Sequence, residues 1–124
     1  MVSFFHLDLE DRPGTLGDVA TLLSGAGVNI EAFAADRSGV RILTSDPDAT
    51  EKALAGHVGF HAVEVIEIEL PNRPGELARV ATALGKHGVN IVTSFGMAGN
   101  HDGGRIYISP DDVDAAWDAL ESVK

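Results

Sequence analysis

The residues of this chain best suited to chemistry lie in two short loops, each built on the tripeptide Arg-Pro-Gly. Gly14 ends the tripeptide in the first loop, and Gly75 ends it in the second, 61 residues later. Glycine lets a ligand approach the backbone, and the first amides of a following helix point outward at the positive end of its dipole. Each loop is therefore predicted to bind a small anion such as a carboxylate.

An amino acid bound in such a loop would also need oxygen acceptors for its ammonium group. The side chains of Asn29 and Asn90 are candidates, and Asp11 and Asn72 are alternatives. The complete set of candidate ligand-binding residues is Asp11, Arg12, Pro13, Gly14, Thr15, Leu16, Asn29 and Ile30 in one half, and Asn72, Arg73, Pro74, Gly75, Glu76, Leu77, Asn90 and Ile91 in the other.

The same loops also have a purely structural interpretation. In it, Pro and Gly only form a tight turn from a strand into a helix, and Asp11 and Asn72 cap that helix. Both interpretations require a strand before each loop and a helix after it.

A strand is predicted before each loop because the chain contains an internal repeat. Residues 12–30 realign with residues 73–91 at twelve identical positions. Apolar and polar residues alternate over 5–9 and again over 66–70, just before the two loops. This period-two alternation predicts strands with one buried face.

A helix is predicted after each loop. Apolar residues recur there at the i, i+3, i+4, i+7 spacing of one helical stripe. Pro13 and Pro74 suit the first helical turn, and Gly27 and Gly88 suit the end of the helix.

The remainder of each half predicts two more strands and a second helix. Asp46-Pro47 and Ser109-Pro110 are each expected to supply an N-cap and a first-turn proline for that helix. The expected second strands are 28–34 and 89–95, the third strands are 40–44 and 105–108, and the turns between them are 36–39 and 100–104.

The first half is expected to end with a strand at 60–65 that runs into the second half without a linker. The phase of the alternation changes near Val65, so we place the two modules at 1–65 and 66–124. The second copy stops after its helix and lacks a final strand. The predicted fold is α+β, with two ferredoxin-like βαββαβ modules in tandem, antiparallel sheets and the helices on one face.

The size of each module predicts association. A unit of about 60 residues buries only about 60% of its unfolded surface and is marginal alone. The missing strand of the second module also leaves an open sheet edge, which is a template for pairing. We therefore expect a homodimer.

The loops and the segments after their helices resemble those of the ACT-domain family. The resemblance lies in Glu10–Val19 followed by Gly27–Glu31, and again in Pro71–Val80 followed by Gly88–Ile91. It implies a small regulatory βαββαβ module that binds amino acids at interfaces between paired modules. On this resemblance we expect a stand-alone regulatory or sensor protein whose ligand is a small amino acid or a related metabolite.

The composition argues against several other classes of function. The 124 residues include 19 Asp and Glu against nine Lys and Arg, which gives a formal net charge of −10. Such a field repels nucleic acid and anionic membrane surfaces. The chain has no cysteine for a thiolate nucleophile or a metal. Its N-terminus lacks the basic region of a signal peptide, so a cytoplasmic protein is expected.

No pattern in the sequence indicates catalysis, a metal or a cofactor, so a non-enzymatic protein is expected. His57 and His61 have i, i+4 spacing, but the residues between them do not favour a helix that would align both as ligands. His101 and Asp102 lie in a glycine-rich turn and are expected to be solvated. Two alternatives remain: a ligand-free subunit that docks on a metabolic enzyme, and a small enzyme on the same fold.

The two loops differ in charge, which predicts a preference between them. Asp11 would place a negative charge beside a bound carboxylate, whereas neutral Asn72 can donate a hydrogen bond as well as accept one. Like charges about 4 Å apart repel by roughly 1 to 4 kcal/mol, so a carboxylate should prefer the second loop. We predict that Asn72→Asp weakens amino acid binding in a calorimetric titration and that Asp11→Asn does not. Equal affinities in the two variants would contradict this preference.

Overall fold

Internal contacts divide the chain into two units, which we call the first and the second unit. The computed structural model describes residues 2–100 and 103–123. The first unit is Ser3–Glu64, and the second runs from Val65 to the end of the described residues and includes Val2. His101 and Asp102, expected in a solvated turn, lie outside the described residues. None of the described helices is long and apolar enough to cross a membrane.

The first unit has the element order βαββαβ. The elements are β1 (Val2–Asp8), α1 (Thr15–Gly25), β2 (Ile30–Asp36), β3 (Gly39–Thr44), α2 (Pro47–Leu54) and β4 (Gly59–Leu70), whose second half belongs to the second unit. The strand order is β2-β3-β1-β4, and β3 is antiparallel to both β1 and β2. This is the ferredoxin-like arrangement that the sequence predicts.

The second unit repeats this order as far as its second helix. After β4 it contains α3 (Glu76–Lys86), β5 (Ile91–Asn100), β6 (Gly103–Pro110) and α4 (Val113–Glu121). Its strand order is β4-β6-β5, with both pairings antiparallel. No strand follows α4 among the described residues. The chain is therefore an α+β protein of two ferredoxin-like modules, the second with three strands.

Each unit has its own hydrophobic core on one face of its sheet. In the first, Phe5 and Leu7 of β1 pack with Val19 and Leu23 of α1. The second core is formed by Ile66, Val80, Ala83, Leu84, Val89, Ile108, Ala116, Ala119 and Leu120. Because alternate residues of each strand enter these clusters, the helices of a unit cover the same face of its sheet.

The last helix begins later than the sequence predicts. Ser109 and Pro110, expected to start it, belong to β6, and the N-cap is Asp112. The Asp111 carboxylate accepts a hydrogen bond from the Asn90 amide at 2.9 Å, and the Asp111 amide donates to the Asn90 carbonyl at 3.0 Å. This pair of bonds keeps the chain extended until it has passed Pro110.

The N-cap predicted at Asp46 is confirmed, because its carboxylate accepts a hydrogen bond from the Ala49 amide at 3.1 Å, with Pro47 in the first turn. We predict that Asp46→Ala lowers the free energy of unfolding by about 1 kcal/mol, because the cap is lost. Asp46→Asn keeps an acceptor and should cost less. Glu51→Ala, which removes the same charge from an exposed position of this helix, is the control. Urea unfolding measures all three, and an unchanged midpoint for Asp46→Ala would contradict the assignment.

Candidate functional site

Each Arg-Pro-Gly loop turns into its helix through the glycine. Gly14 and Gly75 have φ angles of 92° and 91°, in the left-handed region that favours glycine. Each glycine is the N-cap of the helix that follows, and no side chain of the described residues caps either helix start. The backbone alone therefore makes the turn.

These helix starts correct two sequence-based interpretations. Asp11 and Asn72 do not cap α1 and α3, because the N-cap position is taken by a glycine one residue before the helix. Pro13 and Pro74, expected in the first turn, precede that glycine. The left-handed residue has to stand between proline and helix, so the helix begins later. The first amides of both helices are left without a side-chain acceptor among the described residues, as anion binding requires.

A cavity of about 420 Å³ lies beside the second loop, entirely within the second unit. Loop and helix residues form one wall, and residues of three strands form the rest. Its lining includes Leu70, Pro71, Asn72, Arg73, Glu76 and Leu77, together with segments 94–97 of β5 and 104–106 of β6.

A cavity of about 490 Å³ lies at the corresponding place in the first unit. Its lining includes Leu9, Glu10, Asp11, Arg12, Gly14, Thr15, Leu16 and Gly17, together with segments 35–37 and 39–40. Of the candidate loop residues, Pro13 and Pro74 are in neither lining, and Gly75 lines a separate groove beside Arg79. The repeat thus places a cavity at the same point of each unit.

The second loop is held by a buried carboxylate. Glu76, only 8% exposed, accepts a hydrogen bond from Arg73 Nε at one oxygen and from Arg79 Nη2 at the other, both at 2.8 Å. The hydrogen bonds from Arg79 and then Arg73 hold the pKa of Glu76 below its usual value. Arg79 also donates to the carbonyl oxygen of Val123. These contacts fix the Arg73 guanidinium at the cavity.

The first loop pairs its charges differently. Arg12 Nε donates to the Glu10 carboxylate at 2.7 Å, and Arg37 Nε lies 3.7 Å from the Asp11 carboxylate. The Thr15 hydroxyl lies within hydrogen-bond distance of the carbonyl oxygens of Glu10, at 3.0 Å, and Arg12, at 3.2 Å. Both arginines that line the first cavity, Arg12 of the loop and Arg37 between β2 and β3, are therefore matched by carboxylates of the same lining.

The candidate Asn29 lies at the far end of the sheet from the loop of its own unit. Val40 of β3 lines the cavity at the loop, whereas Thr44 of β3 pairs with Ile30, next to Asn29. The four residues from one to the other span about 13 Å. The second unit repeats this arrangement for Asn90.

The backbone of each asparagine instead holds the connection to the next helix. The Asn29 amide donates to Ser45 Oγ at 3.1 Å, as the Asn90 amide does to Asp111. Ile30 and Ile91 pack against the two cores. Because one carbon separates the carboxylate and ammonium of an amino acid, a single ligand cannot touch both the loop and the asparagine of one unit.

The site residues predicted from the sequence do not include the strand residues that line the second cavity. Ser94, Gly96 and Arg105 line it and were missed, because only the pairing of β5 with β6 brings them to the loop.

His61 stacks on His6 with ring centroids 4.9 Å apart. In the described ranges, no group of three or more His, Asp or Glu side chains could hold a metal.

Comparison with protein families identifies a match over two segments of the chain. The family model for the ACT domain matches residues 7–55 and 65–95, more than half of the chain. D-3-phosphoglycerate dehydrogenases of Mycobacterium bovis and Mycobacterium tuberculosis are 38% identical to it over 66 residues. That alignment covers 47% of this chain and 12% of each dehydrogenase, so the chain spans only a small part of these relatives.

Solved structures with the same fold cover nearly the whole chain. A protein from Bacteroides thetaiotaomicron is 29% identical, with a TM-score of 0.89 over 98% of this chain and 87% of that chain. The regulatory subunit of aspartate kinase from Thermus thermophilus is 19% identical, with a TM-score of 0.66 over 98% of this chain and 90% of that chain. The second likeness concerns the fold alone.

The lowered pKa of Glu76 predicts an acid-sensitive contribution to stability. The unfolded chain binds this proton more tightly than the folded one, so the contribution is complete above the unfolded pKa and is lost as the pH falls through the folded pKa. We predict that Glu76→Gln has a lower urea midpoint than the wild type at pH 7 and an equal one in acid. Glu10→Gln, which breaks an exposed pair, should change the midpoint little. A urea midpoint of Glu76→Gln that stays below that of the wild type in acid would contradict the prediction.

Proposed function

Because the chain belongs to the ACT-domain family, whose model matches residues 7–55 and 65–95, we propose that it is a regulatory protein that binds a small amino acid or a related metabolite. One observation carries the proposal. In each unit, a helix start without a side-chain cap is part of the same loop that lines a cavity. A ligand carboxylate there would take the place that a capping side chain takes in other helices.

The proposal assigns 1–65 and 66–124 to two ACT modules and places the ligand where modules meet. Asn29 and Asn90 are too far from the loop of their own unit to share its ligand. The loop of one module and the asparagine of another would have to come together for both to bind one amino acid. The carboxylate would lie on the loop, and the asparagine would accept from the ammonium.

We further propose that two copies of the chain associate in the cytoplasm. The second unit contains no strand after α4 among its described residues. A strand from a second copy beside residues 66–70, the half of β4 that pairs with β6, would satisfy backbone groups that a fourth strand satisfies in a complete module. Such an association would also supply the neighbouring module that the ligand site requires.

The proposed role is regulatory and not catalytic. The dehydrogenase relatives align over 12% of their length, which covers only a fraction of an enzyme. A second candidate is a regulatory subunit that docks on a metabolic enzyme without a ligand. It is favoured by Val113 and Trp117, which are 39% and 41% exposed one turn apart on α4.

A thermal unfolding series with glycine and the nineteen chiral L-amino acids tests the proposal. A ligand at 100 times its Kd should stabilise the protein by about 2.7 kcal/mol, which raises the Tm of a chain of this length by several degrees. Each D-enantiomer is the matched control, because it has the same charge and apolar surface. We expect at least one L-amino acid to raise the Tm above its enantiomer. A uniform response to all twenty would contradict ligand binding and favour the docking role.

A further inference from the structure

The two cavities occupy equivalent places but are built from different side chains. In the strand register, Ser94 of β5 pairs with Ile108 as Phe33 of β2 pairs with Ile42, so Ser94 and Phe33 are equivalent. Two residues further along, Gly96 stands where the first unit has Ala35. At these two positions the edge strand of the second cavity has the smaller residue, whereas Phe95 and Met97 are larger than the equivalent Ala34 and Asp36.

Gly96 cannot be exchanged for a larger residue without moving the strand beside it. A Cβ atom at this position would lie 2.5 Å from the carbonyl oxygen of Arg105 and 2.8 Å from Cγ2 of Ile106. Real Cβ atoms do not approach a backbone oxygen so closely. The absence of a side chain here is thus part of how the cavity is built.

The second cavity has an arginine whose orientation is fixed. Arg73 is 67% exposed and contacts Glu76 through Nε, and its two terminal amino groups are further hydrogen-bond donors. Glu76 is itself held by Arg79, so it can neither rotate nor take up solvent freely. A planar guanidinium held in this way matches the geometry of a carboxylate.

The equivalent arginine of the first unit makes the same Nε contact with a carboxylate, whereas Arg73 shares its carboxylate, Glu76, with Arg79. Arg12 pairs with Glu10, and Pro71 replaces that acid in the second loop. Three carboxylates and two arginines line the first cavity, whereas two arginines and one carboxylate line the second. The two linings therefore carry formal charges of opposite sign, which favours an anion in the second. Arg105 of the second lining also lies 3.5 Å from the Glu67 carboxylate and 3.7 Å from the Glu69 carboxylate, so Arg73 is the cation assigned to the ligand.

The second cavity also exposes apolar surface. Leu77 is 61% exposed and Met97 is 75% exposed, and both line it together with Leu70 and Ile106. An apolar ligand group placed here would remove this surface from water. A volume of about 420 Å³ lies within the range of small-molecule sites.

We propose that the second cavity binds a monocarboxylate with an apolar side chain, with Arg73 contacting the carboxylate and Leu77 and Met97 covering the apolar group. Glu76 is a positioning residue that orients Arg73. The first cavity does not bind this class of ligand. The inference rests on the proposed function, since it names the ligand class and the one unit that takes it. Apolar amino acids and the corresponding 2-oxo acids share this chemistry.

Calorimetric titration with four probes tests the ligand class. Leucine and phenylalanine represent apolar amino acids, 4-methyl-2-oxopentanoate represents the 2-oxo acids, and lysine is a cationic control. We expect the apolar carboxylates to bind and lysine not to bind. Tighter binding of leucine than of its 2-oxo acid identifies the amino acid as the source, and the reverse identifies the oxo acid.

Matched pairs of variants test the site. Arg73→Gln should weaken binding at least about tenfold, because a charged hydrogen bond is lost, and Arg12→Gln should leave it unchanged. Ser94→Phe introduces the residue that the first unit tolerates at the equivalent position, so the protein should fold and lose binding. Phe33→Ser is its counterpart and should retain binding.

The outcomes separate this inference from the proposed function. Binding of lysine in preference to leucine, or equal effects of Arg73→Gln and Arg12→Gln, would overturn the inference while an amino acid still binds. If none of the twenty amino acids raises the Tm and none of the four probes binds, the proposed function fails, and the inference fails with it.

Discussion

The two loops depend on one backbone constraint, the left-handed conformation of Gly14 and Gly75. A side chain is strained in this conformation, so the turn from strand into helix belongs to glycine. The residue that permits the turn has no side chain with which to cap the helix. The first amides of the helix therefore have no side-chain acceptor beside a cavity, although the Glu76 amide donates to the Arg73 carbonyl oxygen at 3.5 Å. The shape of the turn and its capacity to bind an anion have the same origin.

Because the turn occurs twice, the two units share one backbone conformation there and differ in the side chains that they place on it. Glu76 is buried in the second unit because two arginines satisfy it, and a buried carboxylate with only one partner would be costly. Thr15 takes this position in the first unit and bonds within its own loop. A few side chains thus give two loops of one fold different chemistry, since function belongs to sites and not to folds.

The sequence predicted the architecture because each strand and helix has a strong local signal. Period-two alternation before the loops and helical spacing after them each occur in both halves of the chain. The pattern in one half therefore supports the same interpretation in the other. The cap at Asp46 was predicted for the same reason, since a side chain bonds three residues away. The N-cap predicted at Ser109 is wrong, because a long-range pair between Asp111 and Asn90 determines where the last helix begins.

The candidate site was predictable only in its loop half. The loops carry a local signature, but the strand residues Ser94, Gly96 and Arg105 join them through sheet pairing, which no local pattern contains. The distant position of Asn29 could have been foreseen. In a βαβ connection the two strands run parallel, so the end of the first strand and the start of the second lie at opposite ends of the sheet.

The most direct measurement of the central claim is the amide chemical shift of each loop in the ¹⁵N-labelled protein, followed as leucine is added. The account predicts that the amides of Glu76 and Leu77 move to saturation along one curve and that those of Thr15 and Leu16 stay in place. Equal movement of both loops would contradict the difference between the cavities. Saturation elsewhere with both helix starts unmoved would contradict the claim that these amides receive the ligand.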